Sequence, residues 1–357
     1  MSFKKKYLTK NLLPYFISEI GINHNGYLNL ALRMIRYSKK VGFNAVKFQK
    51  RDASDMINFG VEHPKSNGYL SKNENDIKKA TIKFGGWVYP DTRLELKNED
   101  YFKIKKLCLK LKIDLIVTPW DEKSVDFLKK LGVKALKIAS IDANNYQFCE
   151  YVAKTKIPTI ISSGMSTTEE LVTTNKIFNK FNSPHMFMHC TSAYPSKEKD
   201  KHLNCIPVLR KKLNCEIGFS GHGKGIAGSM GAIALGANVI EKHSTLNKKM
   251  LGPDHAASLE FNELEKLIEE GKKVFLSMGT DKKLFRNSEK ILHSVLIKKL
   301  VARKNIKKDK KLSKSDIKPA LIYSSKGLLP KEYFNILNKK PKKDLKIGHV
   351  FLKNDFK

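Results

Sequence analysis

Between Phe16 and Lys242 the chain repeats one unit eight times. Each unit is a short apolar run that stops at polar residues and gives way to a stretch with helical spacing. The runs are Phe16–Ile20, Ala45–Phe48, Leu115–Thr118, Ala135–Ala139, Thr159–Ser162, Met186–His189, Glu216–Phe219 and Val239–Glu241. They do not alternate strictly, which is the pattern of strands buried on both faces. The stretches between them carry helix signals. Tyr101, Ile104, Cys108 and Leu111 are spaced by three and four. Val125, Leu128 and Leu131 repeat at three before Gly132, a stop residue. Ser166 and Glu169 have the spacing of a capping box ahead of Leu171. Phe261, Leu264, Leu267, Ile268 and Phe275 predict one last long helix. Eight βα units over about 250 residues predict an α/β fold of the (β/α)8 TIM-barrel type. The competing doubly wound sheet lacks its phosphate-binding glycine fingerprint after the first strand.

Two segments stand outside this rhythm. The connection from Phe48 to Tyr101 is long and weakly periodic, with turn signals at His63-Pro64, Asn67-Gly68 and Gly85-Gly86. On a barrel it follows the second strand at the catalytic mouth, where loops of that length serve function. Past residue 285 the texture changes to short β-like runs, Val295–Ile297, Leu321–Tyr323 and Val350–Leu352, among dense lysines. The chain therefore divides into a barrel, residues 1–285, and a small module, residues 286–357. Such a module has a thin core and gains by docking.

Composition sets the environment. The net charge is +33, from 68 basic and 35 acidic residues. Nucleic-acid readers use arginine for bidentate and stacking contacts. Here the basic set is 61 Lys and 7 Arg, with the lysines spread along the chain. This reads as a solvated surface, although the tail keeps a polyanion-binding alternative open. No apolar run reaches the roughly 18 residues of a membrane span, and the basic start has no signal-peptide pattern. Cys108, Cys149, Cys190, Cys205 and Cys215 form an odd set without a C-x-x-C pair, as expected of reduced thiols in a cytoplasmic protein.

Catalytic groups of a barrel lie where its strands end. The first run ends at Glu19 and Asn23-His24-Asn25-Gly26, the second at Lys47 and Gln49, the third at Thr118, Trp120 and Asp121. The fourth offers Lys137, Ser140 and Asp142, and the fifth Ser162, Ser163 and Gly164. The sixth offers His189, Thr191, Ser192 and Tyr194, and the seventh Ser220, Gly221 and His222. The eighth ends at Glu241, Lys242 and His243, then Gly252-Pro253-Asp254-His255. One such end is ordinary capping; eight converging on one mouth suggest a site. His222 and His243 follow adjacent strands, so both can face one divalent metal with positions left open for water and substrate. Lys47 and Lys137 follow apolar strands and must be paired or lose their charge. With Ser140, Ser162, Ser220 and Thr118 they form a candidate cradle for phosphate and carboxylate. A barrel lysine also admits a Schiff-base aldolase, and spacing alone leaves both open. Glu19, Asp142 and Asp254 are candidates for proton transfer or hydroxyl recognition.

The strings SEIGINHNG, AVKFQKRD, TPWDEKSVDFL, LKIASID, ISSGMSTTEEL, HCTSAYP, GFSGHGKGI and VIEKHSTL followed by GPDHAASLE carry a specific resemblance. Residues 16–260 resemble the sialic acid synthase family, which covers the N-acetylneuraminate, legionaminate and pseudaminate synthases. The tail is similar to that family's C-terminal SAF (antifreeze-like) domain. The resemblance implies metal-dependent condensation of phosphoenolpyruvate with an N-acetylmannosamine-type sugar, or with a 2,4-diacetamido-trideoxyhexose. It implies a divalent metal, manganese first and magnesium or cobalt as alternatives, on His222 and His243. It implies phosphoenolpyruvate ligands at Lys47, Thr118, Lys137, Ser140, Ser162, Ser192 and Ser220. It places Gln49, Tyr194 and Asp254 near the sugar, and Glu19 and Asp142 as catalytic carboxylates. It also implies a homodimer in which the SAF domain of one subunit caps the partner barrel. The chain departs from the family pattern at three places. Asp142 stands where many members have Glu, Gly221 and Gly223 flank His222, and the stretch from Leu321 to Lys326 has no Arg. These departures bear on the acceptor sugar more than on the reaction.

Overall fold

The computed structural model describes residues 3–9, 12–52, 94–322 and 326–357. Most of the long connection after the second strand lies outside these residues, as does Tyr323 of the Leu321–Tyr323 run. The chain separates into two compact units, Met1–Gly279 and Thr280–Lys357.

The first unit is a closed barrel. Its parallel strands are β1 (Tyr15–Gly21), β2 (Ala45–Lys50), β3 (Asp114–Pro119), β4 (Ala135–Ile138), β5 (Thr159–Ser162), β6 (His185–Cys190), β7 (Ile217–Gly221) and β8 (Val239–Thr245). They pair in sequence order, and β1 closes on β8. A two-residue β9 (Leu259–Glu260) extends β8 outside the ring. One helix follows each strand: α1 (Leu28–Val41), α2 (Asn98–Leu111), α3 (Glu122–Leu131), α4 (Tyr146–Lys154), α5 (Thr168–Lys180), α6 (Cys205–Leu213), α7 (Ala227–Ala234) and α8 (Phe261–Met278). This is the (β/α)8 barrel that the repeat predicts. Gly132 ends α3 in the left-handed region, φ 71°, as a stop residue should. The capping box of α5 lies one residue later than its spacing suggests. Thr167, not Ser166, takes the extended N-cap conformation, and its partner is Glu170.

The period of two along each strand sorts the side chains into two cores. Phe16, Val46, Leu115, Leu136 and Ile161 point outward and pack under the helices. Ile17, Ala45, Ile116, Ala135, Ile160 and Val239 point inward and form an apolar layer. Phe3 and Leu8, which flank the short helical turn Lys4–Leu8, join that inner layer. The basic N-terminus thereby packs against the barrel interior. Its buried Lys4 donates to the carbonyls of Leu12 and Leu13 at 3.2 and 2.5 Å. Two residues further along each strand, the inward positions become polar: Glu19, Lys47, Thr118, Lys137, Ser162 and Glu241. The barrel is thus apolar at one level and charged at the next.

The second unit has its own core around Leu300, Ile306, Leu312, Ile317, Leu345 and Phe351. β10 (Lys298–Ala302) pairs antiparallel with β11 (Ile317–Leu321). Val295 and Leu296 do not begin a strand; they end the helix α9 (Lys290–Leu296). Val350 makes a single bridge to Val301. A short helix α10 (Tyr333–Ile336) completes the unit. Its most deeply buried charged side chain among the described residues is Asp316. That carboxylate accepts from the Ser313 backbone at 2.8 Å, from Ser313 Oγ at 2.6 Å and from Lys310 at 2.8 Å. Lys304 lies 3.3 Å away. Burial pushes the Asp316 carboxyl up, but hydrogen bonds from Lys310 and Ser313 outweigh it and hold the group well below the usual carboxylate range. A depressed carboxylate stabilises the fold above its unfolded pKa of about 4 and loses that contribution as pH falls further. Asp316→Asn is therefore expected to cost about 1–3 kcal/mol at neutral pH. The variant should also lose this part of the acid dependence, read as unfolding transitions of the full chain from pH 7 to pH 3.

Candidate active site

The polar layer opens into a cavity of about 290 Å³ at the C-terminal ends of the strands. Its walls include Glu19, Lys47, Gln49, Thr118, Lys137, Ser140, Ser162, Ser192, Tyr194, Ser220, His222, His243 and Asp254. Every residue to which the family resemblance assigns a role is here except Asp142.

The centre is a network of four charges. Lys47 Nζ lies 2.8 Å from Glu19 Oε1 and 3.7 Å from Glu241 Oε1. It also donates to Thr118 Oγ1 at 3.2 Å. Lys137 Nζ lies 3.5 Å from Glu241 Oε2 and donates to Ser162 Oγ at 2.6 Å. Ser220 Oγ donates to Glu241 Oε1 at 3.1 Å. Glu241 therefore bridges the two ammonium groups from β8. All four charged side chains are at least nine-tenths buried, so pairing is what keeps them ionised.

Their environments separate the two carboxyls. Burial raises Glu19 to about 7 despite the opposing pull of Lys47. Burial also pushes Glu241 up, but Lys137 and Lys47 outweigh it and hold the carboxyl below its ordinary value. The same cavity therefore holds one carboxyl raised by burial, Glu19, and one held low by its two ammonium neighbours, Glu241. Burial pulls Lys137 down against the attraction of Glu241. Asp254 is raised to about 6 by burial, against Arg51 and Lys47.

The two histidines form the opposite wall, with ring centroids 5.6 Å apart. His222 Nδ1 donates to the Thr191 carbonyl at 2.9 Å. That bond fixes the tautomer and leaves Nε2 as an acceptor toward the cavity. Tyr194 stacks on His222 with centroids at 4.3 Å, and its hydroxyl donates to Nε2 at 3.3 Å. His243 Nδ1 faces Asp254 Oδ2 at 3.8 Å. Burial lowers His222 to about 4 and His243 well below the usual range, so both rings are neutral at pH 7.

The profile of the NeuB family matches residues 34–283. The chain is 32% identical over 346 residues to the N,N'-diacetyllegionaminic acid synthase of Legionella pneumophila, across 95% of this chain and 93% of that one. The chain belongs to the NeuB family. It is also 34% identical over 330 residues to the N-acetylneuraminate-9-phosphate synthase of Homo sapiens, across 91% of this chain and 88% of that one. Among solved structures it is similar to the N-acetylneuraminic acid (sialic acid) synthetase of Leptospira borgpetersenii in complex with citrate. The TM-score is 0.67 at 32% identity, covering 80% of this chain and 92% of that one. These NeuB relatives are named as synthases, and this chain is an enzyme of the same sialic acid synthase class.

NeuB membership turns attention to a metal. Among the described residues no cluster of three or more His, Cys, Asp or Glu is placed to hold one. Two neutral imidazoles fit an open site whose other positions belong to water and substrate oxygens. Orphaned buried atoms support that fit, since His243 Nδ1 and both Asp254 carboxylate oxygens make no hydrogen bond.

The structure does not bring Asp142 into the cavity. It ends the short turn Ser140–Asp142, where its Oδ1 accepts from Asn145 Nδ2 at 3.1 Å. Asn145 in turn caps α4. Asp121, another strand-end acid, is also a cap, accepting from the Ser124 backbone at 2.6 Å. The sequence reading gave Glu241 no role, although it lies two residues before His243 and so shares its inward face. Gly164 matters as empty space. A Cβ there would fall 2.7 Å from Ser140 Oγ and collide with Ser192 Oγ. Gly164→Ala is expected to displace both hydroxyls and lower kcat/KM about 10- to 100-fold. Its melting temperature should stay close to that of the parent, which a steady-state assay beside a thermal scan would check.

Proposed function

We propose that this NeuB enzyme condenses phosphoenolpyruvate with the open-chain form of an N-acetylmannosamine-type sugar, giving a nine-carbon sialic acid-type product and phosphate. The observation that carries this reading is the placement of two buried ammonium groups, Lys47 and Lys137, on one side of a cavity whose other side is a pair of neutral imidazoles. A dianionic phosphate and a carboxylate need the first. A divalent metal, the group that would polarise the sugar aldehyde, needs the second.

Lys47 and Lys137, with the hydroxyls of Thr118, Ser140, Ser162, Ser192 and Ser220, bind the carboxylate and phosphate of phosphoenolpyruvate. Gln49, Tyr194 and Asp254 orient the sugar. A divalent metal held by His222 and His243, manganese first and magnesium or cobalt as alternatives, supplies Lewis-acid polarisation of the aldehyde when bound. C3 of phosphoenolpyruvate forms the new bond to the aldehyde carbon as its double bond to C2 opens. Water adds at C2 and gives one proton to Glu19, which passes it on to the aldehyde oxygen. The bond from C2 to the phosphate oxygen breaks, phosphate leaves with both electrons, and the C2 hydroxyl becomes a carbonyl by giving its proton to the phosphate. Burial of the charges keeps bulk water from competing for the anion.

We assign the second unit, from Thr280 or close to it, as an SAF-type domain that caps the partner barrel of a homodimer. No described helix is long and apolar enough to cross a membrane. The test is product mass over a panel of N-acetylmannosamine, its 6-phosphate and 2,4-diacetamido-trideoxyhexoses, with and without EDTA. A nine-carbon acid from one sugar, lost with EDTA, supports the reading. Trapping by borohydride with pyruvate, indifferent to EDTA, would replace it with a Schiff-base lyase.

A further inference from the structure

Arg51 follows β2 and is buried behind the cavity wall. Its Nε lies 2.5 Å from Glu95 Oε1, and its guanidinium sits over the Trp120 ring at 5.0 Å. From that seat Nη2 donates to Gln49 Oε1 at 2.9 Å. This bond favours the amide orientation in which Gln49 Nε2 faces Glu19. With Oε1 committed to the guanidinium, Nε2 turns to Glu19 and donates to its Oε1 at 3.3 Å. Lys47 approaches the same Glu19 oxygen at 2.8 Å. The backbone closes around the junction, since a Cβ on Gly21 (φ +55°) would lie 3.1 Å from Glu19 Oε1 and 3.3 Å from Gln49 Nε2. One Glu19 oxygen thus receives both donors. The other, Oε2, is buried with no hydrogen-bond partner.

We infer that Arg51 is a positioning residue that sets the Gln49 amide, so that both donors fall on Glu19 Oε1 and Oε2 is left to take the proton. This rests on the proposed role of Glu19 as proton acceptor. Losing Arg51 removes the bond that commits Gln49 Oε1. If the amide turns, its oxygen faces a carboxylate oxygen, and two acceptors move apart. Lysine cannot replace the arginine, because only a planar fork reaches Glu95 and Gln49 together.

The test is a double-mutant cycle of Arg51→Met and Gln49→Ala, read as phosphate release from phosphoenolpyruvate with whichever panel sugar the parent accepts. Arg51→Met is expected to lower kcat about 10- to 100-fold and to leave the phosphoenolpyruvate KM within about 3-fold. In the Gln49→Ala background the same change should cost less than about 3-fold, because the residues act in series. Multiplicative losses would overturn the inference. Should Arg51→Met fail to fold, Arg51→Lys takes its place, and parental kcat in that variant would overturn it. If the parent releases no phosphate with any sugar, the proposed function fails, and a crystal structure of Arg51→Lys decides the inference. Gln49 moved out of hydrogen-bond reach of Glu19 would support it; an unchanged contact would refute it.

Discussion

His243→Ala is expected to lower kcat by at least about 10³-fold while the protein folds normally. His243 lies on an inward position of β8, paired in register with Glu19 of β1. Its ring is one of the two neutral imidazoles in the cavity wall. Alanine removes one of the two proposed metal donors and leaves Asp254, 3.8 Å from the missing ring, facing a void. The fold itself does not depend on the ring, because the inner apolar layer lies two inward positions deeper, at Val239 and its neighbours. Activity and manganese binding by calorimetry should therefore fall together, with little change in the unfolding transition. A variant with a near-parental rate would remove the metal assignment.

The second large effect is expected at Lys137. Its ammonium is buried, 3.5 Å from Glu241 and 2.6 Å from Ser162. Lys137→Met keeps most of the volume but removes the charge. Phosphoenolpyruvate then loses a desolvated cation, and Glu241 keeps Lys47 as its remaining ammonium partner at 3.7 Å. Loss of one partner of a buried, hydrogen-bonded charge pair costs about 2–5 kcal/mol. The phosphoenolpyruvate KM should rise about 10²-fold or more, measured at saturating sugar. Since Glu241 is left short of positive charge, Lys137→Met with Glu241→Gln should be less impaired than the two single losses combined. An unchanged KM would take Lys137 out of the anion site.

The barrel was legible because its strands are buried on both faces and its helices carry caps, both of which are local signals. Lys47, Lys137, His222 and His243 were legible because a charged or ligating side chain at the end of an apolar run has few structural uses. Asp142 lies outside the cavity lining because its place along the chain does not fix its rotamer. Its carboxylate takes Asn145, a neighbour three residues away, as partner. Glu241 escaped for the opposite reason. It lies inside an apolar run, and only the inward period shared with Val239 and His243 reveals that it faces two lysines from β2 and β4. Those contacts join residues 241, 47 and 137 and exist only once the barrel has closed. The Arg51 to Gln49 to Glu19 chain is likewise set by side-chain geometry rather than by spacing. The acceptor sugar is least legible, since most of the long connection after β2, expected at the catalytic mouth, lies outside the described residues.

The most direct measurement follows the bridging oxygen of phosphoenolpyruvate. The enzyme would be given phosphoenolpyruvate labelled with oxygen-18 between C2 and phosphorus, manganese and the sugar panel. The account predicts phosphate that carries the label and a nine-carbon acid whose C2 oxygen comes from water. Label retained in the sugar acid, or no phosphate released with any sugar, would contradict it.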